Sequence, residues 1–182
     1  NHFHLLRQHS YVNWHRPVII ATPKSMLRNK LATSTPEEFT SGKWNPALDD
    51  PTIEDPSKVE RIILCSGKVR WDLVNRRQKN GHDGKIAIIS LERLYPLPTE
   101  ELVEILRRYA HVTDVRFVQD EPENQGAWPF MAQHLPGAVK ELFPEFELDM
   151  KPITRPWSSA PSVGSFMVHK DQEDALLSAA LD

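Results

Sequence analysis

The sequence predicts an α/β sandwich in which a mainly parallel sheet carries helices on both faces. Short apolar runs rich in β-branched residues, typical of buried strands, alternate with segments whose apolar residues recur at helical spacing. Strands that alternate with helices in this way form crossover connections and hence parallel pairs. With 182 residues, 40% apolar and 26% charged, we expect a single domain over 1–182 with a core of ordinary size.

The apolar patterns predict strands and helices in a regular order along most of the chain. The predicted strands cover residues 17–21, 61–66, 85–91, 114–118 and 151–155. The predicted helices cover residues 3–9, 24–30 (a short helix or turn), 69–79, 99–109, a stretch from about 129 interrupted at 136–137, and 171–181. Residues 31–58 are polar and rich in Pro, Ser, Thr and Asp, so we expect a long excursion there, with one helical turn at 36–39 and a short edge strand at 44–48.

Composition narrows the classes of protein to consider. The net charge of -3 gives no reason to expect nucleic acid or an anionic membrane as a partner. A single cysteine, Cys65, excludes an internal disulfide framework and suits a reducing compartment. The sequence contains no apolar run long enough for a membrane span and no recognisable signal peptide. We therefore expect a cytoplasmic protein, and a first residue other than Met suggests a fragment of a longer chain.

Positive charge is concentrated at the amino end. Residues 1–36 contain no Asp or Glu, but they include Arg7, Arg16, Lys24, Arg28 and Lys30. A segment of this kind is solvated surface, a face against an acidic neighbour, or an anion site. We keep Arg16, Lys24 and Arg28 as a possible anion site.

The most distinctive stretch runs from Phe117 to Trp128, where an apolar strand enters a turn of acids and amides before a helix that begins with Trp. Asp120, Glu121 and Glu123 crowd three carboxylates together, which can raise one pKa for acid–base catalysis. The cluster could instead cap the following helix or pair with basic residues of a partner domain. Because the stretch contains no histidine or nucleophile, the interface is the favoured interpretation. The possible interface residues are Glu121, Asn124, Gln125 and Trp128, the last as an anchor.

Other candidate sites have simpler structural explanations. Ser66-Gly67-Lys68 lies where a strand meets a helix, a common place for ligands, but it lacks the full phosphate-binding pattern and is interpreted as a tight turn. The histidines at positions 2, 4, 9 and 15 lack the spacing of metal ligands. Cys65 lies within an apolar strand, and no GxSxG motif is present. The sequence therefore predicts no catalytic, cofactor-binding or metal-binding residue.

Several segments together resemble a known family. Residues 1–7 (NHFHLLR), 22–30 (TPKSMLRNK) and 119–128 (QDEPENQGAW) are similar to the C-terminal domain of 2-oxoglutarate dehydrogenase E1. Residues 65–68 (CSGK), 91–98 (LERLYPLP) and 159–164 (SAPSVG), with His169, add to the resemblance, which covers essentially the whole chain. The residues of these segments most resemble those of the actinobacterial branch of the family, in which E1 is fused to an acyltransferase domain.

The resemblance implies a fold and a reaction. The fold is transketolase C-terminal-like, with a five-stranded, mostly parallel sheet and one antiparallel edge strand. The enzyme is a homodimer that uses thiamine diphosphate and Mg²⁺ to decarboxylate 2-oxoglutarate, and it passes the succinyl group to the lipoyl group of an acyltransferase. The family's GDG motif is absent here, and the turn at 82–84 (HDG) is no substitute, so the resemblance places catalysis before residue 1. Residues 1–16 are then a link from the preceding catalytic domain.

Three functional hypotheses follow. In the leading one, this domain supports the E1 dimer and contributes to regulation, with Arg16, Lys24 and Arg28 facing an acyl-CoA or nucleotide effector. The alternative is a stand-alone α/β module that binds an anion or nucleotide at the strand ends. A third possibility is the C-terminal domain of another transketolase-like enzyme, acting on sugars or pyruvate.

Overall fold

The computed structural model describes residues 1–13, 16–82 and 84–182, so His15 and the centre of the predicted turn at 82–84 lie outside the described residues. The chain divides into two compact units, 1–46 and 47–182. The first contains α1 (His2–Tyr11), a 3-10 helix (Lys24–Arg28), a 3-10 turn (Lys30–Ala32) and α2 (Pro36–Thr40). The second contains β1 (Ala47–Leu48), β2 (Arg61–Cys65), α3 (Val69–Asn80), β3 (Ile86–Leu91), α4 (Thr99–Leu106), β4 (Asp114–Pro122), α5 (Trp128–Leu142), β5 (Met150–Arg155) and α6 (Phe166–Leu181), with 3-10 turns at Pro56–Lys58 and Arg107–Tyr109.

The second unit is built on one five-stranded sheet in the order β1-β3-β2-β4-β5. Strand β2 pairs in parallel with β3 and β4, and β4 pairs in parallel with β5. Strand β1 pairs antiparallel with β3, with Ala47 opposite Leu91. The five-stranded, mostly parallel sheet with an antiparallel edge strand is confirmed, and the short strand predicted within the excursion supplies that edge.

Alternation along the strands divides the core between the two faces of the sheet. In β2, Ile62 and Leu64 face one side, where they join a cluster with apolar residues of α4 and α5. Ile63 and Cys65 face the other side and join residues of α3 and α6. Because every residue of β3 is buried as well, the sheet is covered on both faces, as parallel sheets generally are. The predicted three-layer sandwich is confirmed.

The strand predicted at 17–21 is wrong. This segment is irregular, and its apolar side chains are exposed, with Ile19 at 94%. An apolar, β-branched run shows only a preference for strands, whereas a strand requires a backbone partner. Among the described residues, the sheet consists of the five strands of the second unit, and residues 17–21 are not one of them.

The predicted interruption of the helix at 136–137 is also wrong, because α5 continues through Pro136 to Leu142. Met131, Leu135 and Val139 are all fully buried, and their spacing of four carries one apolar stripe past the proline. Packing of that stripe outweighs the loss of one backbone hydrogen bond. At two other places the elements are longer than predicted: β4 extends to Pro122, and α6 begins at Phe166.

Candidate functional site

The carboxyl ends of the parallel strands meet at one edge of the sheet. Strand β2 is followed there by Ser66-Gly67-Lys68, β4 by the turn at 123–127, and β5 by the loop that begins after Arg155. Strand β3 lies on one side of β2 and the next strand, β4, lies on the other side, so the direction in which strands are added reverses at β2. Open α/β sheets bind ligands at such a switch point, so this edge is the natural place to look for a site.

Gln119 organises the turn that follows β4. Its side chain is buried, with 3% of the residue exposed. The amide nitrogen donates to the carbonyl oxygens of Pro122 (2.9 Å) and Gln125 (2.8 Å), and the amide oxygen accepts from the N–H of Trp128 (2.8 Å). One buried side chain therefore satisfies backbone groups at both ends of the turn.

Gly126 allows the turn to close around that amide. Its φ is +66°, in the left-handed region that glycine adopts without strain. A Cβ at this position would lie 2.9 Å from Oε1 of Gln119 and 3.0 Å from Cβ of Glu121. Both the backbone conformation and the close approach thus require glycine here.

The side-chain amides of Asn124 and Gln125 bind a neighbouring loop of the same unit. Nδ2 of Asn124 donates to the carbonyl oxygen of Ser158 (2.9 Å), and Oδ1 accepts from the Ser158 N–H (3.1 Å). Nε2 of Gln125 also donates to the Ser158 carbonyl (2.9 Å). Trp128 is half-buried against Phe117, with ring centroids 5.7 Å apart. The assignment of Glu121, Asn124, Gln125 and Trp128 to a subunit interface stays a prediction.

An ion pair links the ends of β4 and β5 to α6. Arg155, 8% exposed, donates from Nη2 to Oδ1 of Asp120 (2.6 Å) and from Nη1 to the carbonyl oxygen of His169 (3.2 Å) and to Oε1 of Gln172 (3.2 Å). Beside this pair lies a cleft of about 210 Å³, lined by Asp120, Glu121, Arg155, Pro161, Ser162, Val163 and His169. The one arginine of the cleft is already paired with Asp120.

Lys68 is committed to carboxylates as well. It forms ion pairs with Asp72 and, at 3.5 Å, with Glu173. Burial alone would lower the pKa of Lys68, but the hydrogen bond to Asp72 and the charges of Asp72, Asp120 and Glu173 raise it above its ordinary value. The Gly67 φ of +75° and these ion pairs agree with the interpretation of Ser66-Gly67-Lys68 as a tight turn.

The three carboxylates of the stretch lie in different surroundings. Asp120 is held by Arg155, whereas Glu121 is exposed and Glu123 is half-buried. Over residues 1–13, 16–82 and 84–182, no group of three or more His, Cys, Asp or Glu side chains is arranged to hold a metal ion. Within the same ranges, no helix is long and apolar enough to cross a membrane.

The burial of the Cys65 thiol fits its predicted structural role. The side chain is fully buried between β2 and the helices of that face. Burial raises the pKa of the Cys65 thiol to about 12, because the charged form loses its hydration. The thiol is therefore protonated and unreactive near neutral pH.

Asp50 and Arg77, which are 3% and 0% exposed, form a buried ion pair that was not predicted from the sequence. Arg77 also donates to the Ile86 carbonyl oxygen (2.6 Å), and Asp50 accepts from the N–H of Ile88 (2.9 Å). The pair therefore fastens the segment after β1 to β3. The sequence contains one sign that Arg77 is buried: it lies four residues after Leu73 and continues the apolar stripe of α3.

The first unit holds the predicted anion site and the histidines. Arg16 is exposed, and the exposed Lys24 and Arg28 begin and end one 3-10 helix. His4 is buried, and its Nε2 lies 2.6 Å from the carbonyl oxygen of Glu38. Nε2 of His9 lies 2.6 Å from the carbonyl oxygen of Arg16. His4 and His9 thus contact backbone within their own unit, and the anion site stays a prediction.

Comparison with known proteins gives a consistent result along the chain. The family described as 2-oxoglutarate dehydrogenase C-terminal matches residues 33–181. The 2-oxoglutarate dehydrogenase E1/E2 component of Corynebacterium glutamicum is 43% identical over 183 residues, which cover 100% of this chain and 14% of that protein. The multifunctional 2-oxoglutarate metabolism enzymes of Mycobacterium sp. (strain JLS) and Mycolicibacterium vanbaalenii are each 44% identical over 184 residues, covering 99% of this chain and 14% of each relative. The chain therefore spans about one seventh of the length of these relatives.

Proposed function

Because this chain belongs to the 2-oxoglutarate dehydrogenase C-terminal family, we propose that it is the C-terminal domain of an enzyme that decarboxylates 2-oxoglutarate and transfers the succinyl group to lipoamide. The observation that carries the proposal is identity of 43–44% along essentially the whole chain to relatives named as 2-oxoglutarate enzymes. Such identity does not favour the alternative of a stand-alone binding module. The site of action is the cytoplasm, and the reaction belongs to the tricarboxylic acid cycle.

The described residues do not fit thiamine diphosphate and Mg²⁺. No cluster of metal-ligating side chains forms within them, and Asp120, at the carboxyl edge of the sheet, is held by Arg155. We propose that both cofactors bind to a catalytic part of the enzyme that precedes these residues, as the family resemblance implies. The domain described here contributes structure: it supports a homodimer, with Glu121, Asn124, Gln125 and Trp128 at or near the contact, and the enzyme works with a lipoyl-bearing acyltransferase.

Assays of the full-length enzyme and of residues 1–182 test this division of labour. The full-length enzyme is expected to release CO₂ from 2-oxoglutarate in a reaction that requires thiamine diphosphate and Mg²⁺. The fragment is expected to bind no thiamine diphosphate by calorimetry and to show no decarboxylation. Decarboxylation of pyruvate instead of 2-oxoglutarate by the full-length enzyme would replace the proposal with another transketolase-like activity.

The basic segment supplies the regulatory part of the proposal. Arg16, Lys24 and Arg28 are exposed in a stretch without acidic residues, which attracts the phosphates of an acyl-CoA or nucleotide effector. The double variant Arg16→Glu, Lys24→Glu is expected to lose the response to the effector while keeping basal activity. Lys85→Glu, an exposed charge reversal in the second unit, is the matched control. An unchanged response in the double variant would remove the anion site from the proposal.

A further inference from the structure

Residues 17–21 (PVIIA) form an apolar run that is neither packed nor paired. Val18, Ile19 and Ile20 are 43%, 94% and 40% exposed. Within the described residues, no backbone group of 17–21 takes part in a hydrogen bond. Three adjacent β-branched apolar side chains in water are unusual for a folded protein, because their burial is the main force that favours folding. The segment therefore lacks a partner among the described residues.

The first unit as a whole has no hydrophobic core. Of its described residues, only His4 and Pro46 are buried, and both core clusters consist of residues of the second unit. Its other large apolar side chains are exposed as well, namely Phe3, Leu6, Tyr11, Leu27, Leu31 and Phe39. A unit of this size that buries so little apolar surface does not offset the conformational entropy of folding by itself. The first unit therefore packs against a body that lies outside the described residues.

The order of side chains in 17–21 indicates what kind of partner this body supplies. In an extended chain, Val18 and Ile20 face one side and Ile19 faces the other. Apolar residues on both sides are typical of a strand inside a sheet that is covered on both faces, and β3 of the second unit, with every residue buried, is such a strand. Pro17 fits the first position of a strand, where the missing N–H is tolerated. The segment therefore suits the interior of a layered sheet.

The sheet of the second unit does not provide this place. Its edge strands are β1, which has two residues, and β5, in which Pro152 lacks an N–H and Lys151 is exposed. A second copy of residues 1–182 would present the same edges, and two copies of 17–21 would pair only as a two-stranded ribbon without covered faces. The chain covers 14% of the length of its relatives, so most of such an enzyme lies outside residues 1–182.

We propose that residues 17–21 form an interior strand of a β-sheet in the catalytic part that precedes residue 1 in the full-length enzyme. The inference rests on the proposed function, which includes that preceding part. Covalent connection favours pairing within the same polypeptide, because it keeps the segment and the sheet at a high effective concentration. The boundary between the catalytic part and the C-terminal domain then lies near Pro46, between the two units, and not at residue 16.

Hydrogen–deuterium exchange of the full-length enzyme tests whether the strand forms. Thr33 and Ser34 are the internal control, because they are also irregular and exposed in the first unit but are polar. After correction for intrinsic rates, the backbone amides of residues 18–21 are expected to exchange at least about 100-fold more slowly than those of Thr33 and Ser34. Exchange at equal rates would overturn the proposal.

Proline substitutions provide a second test, which depends on the backbone. Ile19→Pro removes an N–H from the middle of the proposed strand, whereas Ser34→Pro changes the control segment. Ile19→Pro is expected to shorten the half-life of the folded full-length enzyme during heating at least about tenfold, or to prevent soluble expression. Ser34→Pro and Ile19→Val are expected to change this half-life less than about threefold. Equal half-lives of the two proline variants would contradict the strand, because a free exposed segment tolerates proline.

A cross-link identifies the partner of the strand. A small aliphatic diazirine amino acid replaces Ile19 in full-length enzyme made from mixed ¹⁴N and ¹⁵N subunits. The expected product joins position 19 to residues that precede residue 1 in a polypeptide of the same isotope. A link to the other isotope, or to residues 47–182, would overturn the proposal. Decarboxylation of 2-oxoglutarate is measured on the same sample, so a failed reaction beside the expected cross-link overturns the proposed function and leaves the strand in place.

Discussion

The side-chain oxygen of Gln119 accepts the backbone N–H of Trp128 at 2.8 Å, which joins the last part of β4 to the first residue of α5. The nitrogen of the same amide donates to carbonyl oxygens within the intervening turn. The turn that looks like a group of acids in the sequence is therefore held together by a buried neutral amide. The side-chain amides of Asn124 and Gln125 take no part in these bonds, and they hold the neighbouring loop at Ser158.

Replacing this amide with a side chain of similar size should loosen the turn. Gln119→Leu leaves the Trp128 N–H and the carbonyl oxygens of Pro122 and Gln125 without their partner. Each unsatisfied buried group costs about 1–3 kcal/mol, so we expect a loss of at least that size in the free energy of unfolding. Urea denaturation measures the loss, and Gln133→Leu on the exposed side of α5 is the control. Equal stability of the two variants would show that the Gln119 hydrogen bonds contribute nothing net.

Gly126→Ala should destabilise the protein more than the same change at another glycine with positive φ. Gly81 has φ +71° and nothing within 4 Å of a Cβ, so Gly81→Ala carries only the backbone cost of roughly 1–2 kcal/mol. Gly126→Ala carries a similar backbone cost and also places the new carbon 2.9 Å from Oε1 of Gln119. The difference between their unfolding midpoints in urea isolates the contact. Identical midpoints would mean that Gln119 moves aside without cost.

Asp50→Asn should be among the most damaging single changes in the second unit. It removes the charge partner of Arg77, a residue with 0% exposure, and breaking one side of a buried pair costs about 3–5 kcal/mol. Glu60→Gln removes the partner of Lys85 from an exposed pair (2.9 Å), where the expected cost is about 0–1 kcal/mol. Thermal unfolding of both variants compares the two losses. A loss at Asp50 as small as that at Glu60 would show that the buried pair is replaceable.

The sequence predicted the sheet well because strand and helix periodicity are local properties, as in β2, where Ile62 and Ile63 alternate between two cores. The strand predicted around Ile19 was wrong, because the pairing of a strand depends on residues distant in sequence. The Asp50–Arg77 pair was missed for the same reason, because the partners are 27 positions apart. The role of Gln119 was not predicted, because the functional interpretation of this stretch was based on the acidic residues that follow Gln119.

Acid should weaken the second unit through Asp50 and Asp114, two aspartates removed at least partly from solvent whose pKa values lie below the ordinary 3.8. Burial alone would raise the pKa of Asp50, but hydrogen bonds from Arg77 and Thr52, the charge of Arg77 and the Ile88 N–H lower it. Burial would likewise raise the pKa of Asp114, and Arg116 and Arg61 lower it.

The sign of the effect follows from proton uptake. Below about pH 4, the unfolded chain binds protons at Asp50 and Asp114 that the folded chain does not, so the free energy of unfolding falls as the pH falls. Above that pH the contribution of both groups is complete and nearly constant. Urea unfolding between pH 6 and pH 3 should therefore show a loss confined to the acid end. The slope should be shallower in Asp114→Asn, which has one fewer such group, and an unchanged slope would contradict the role of Asp114.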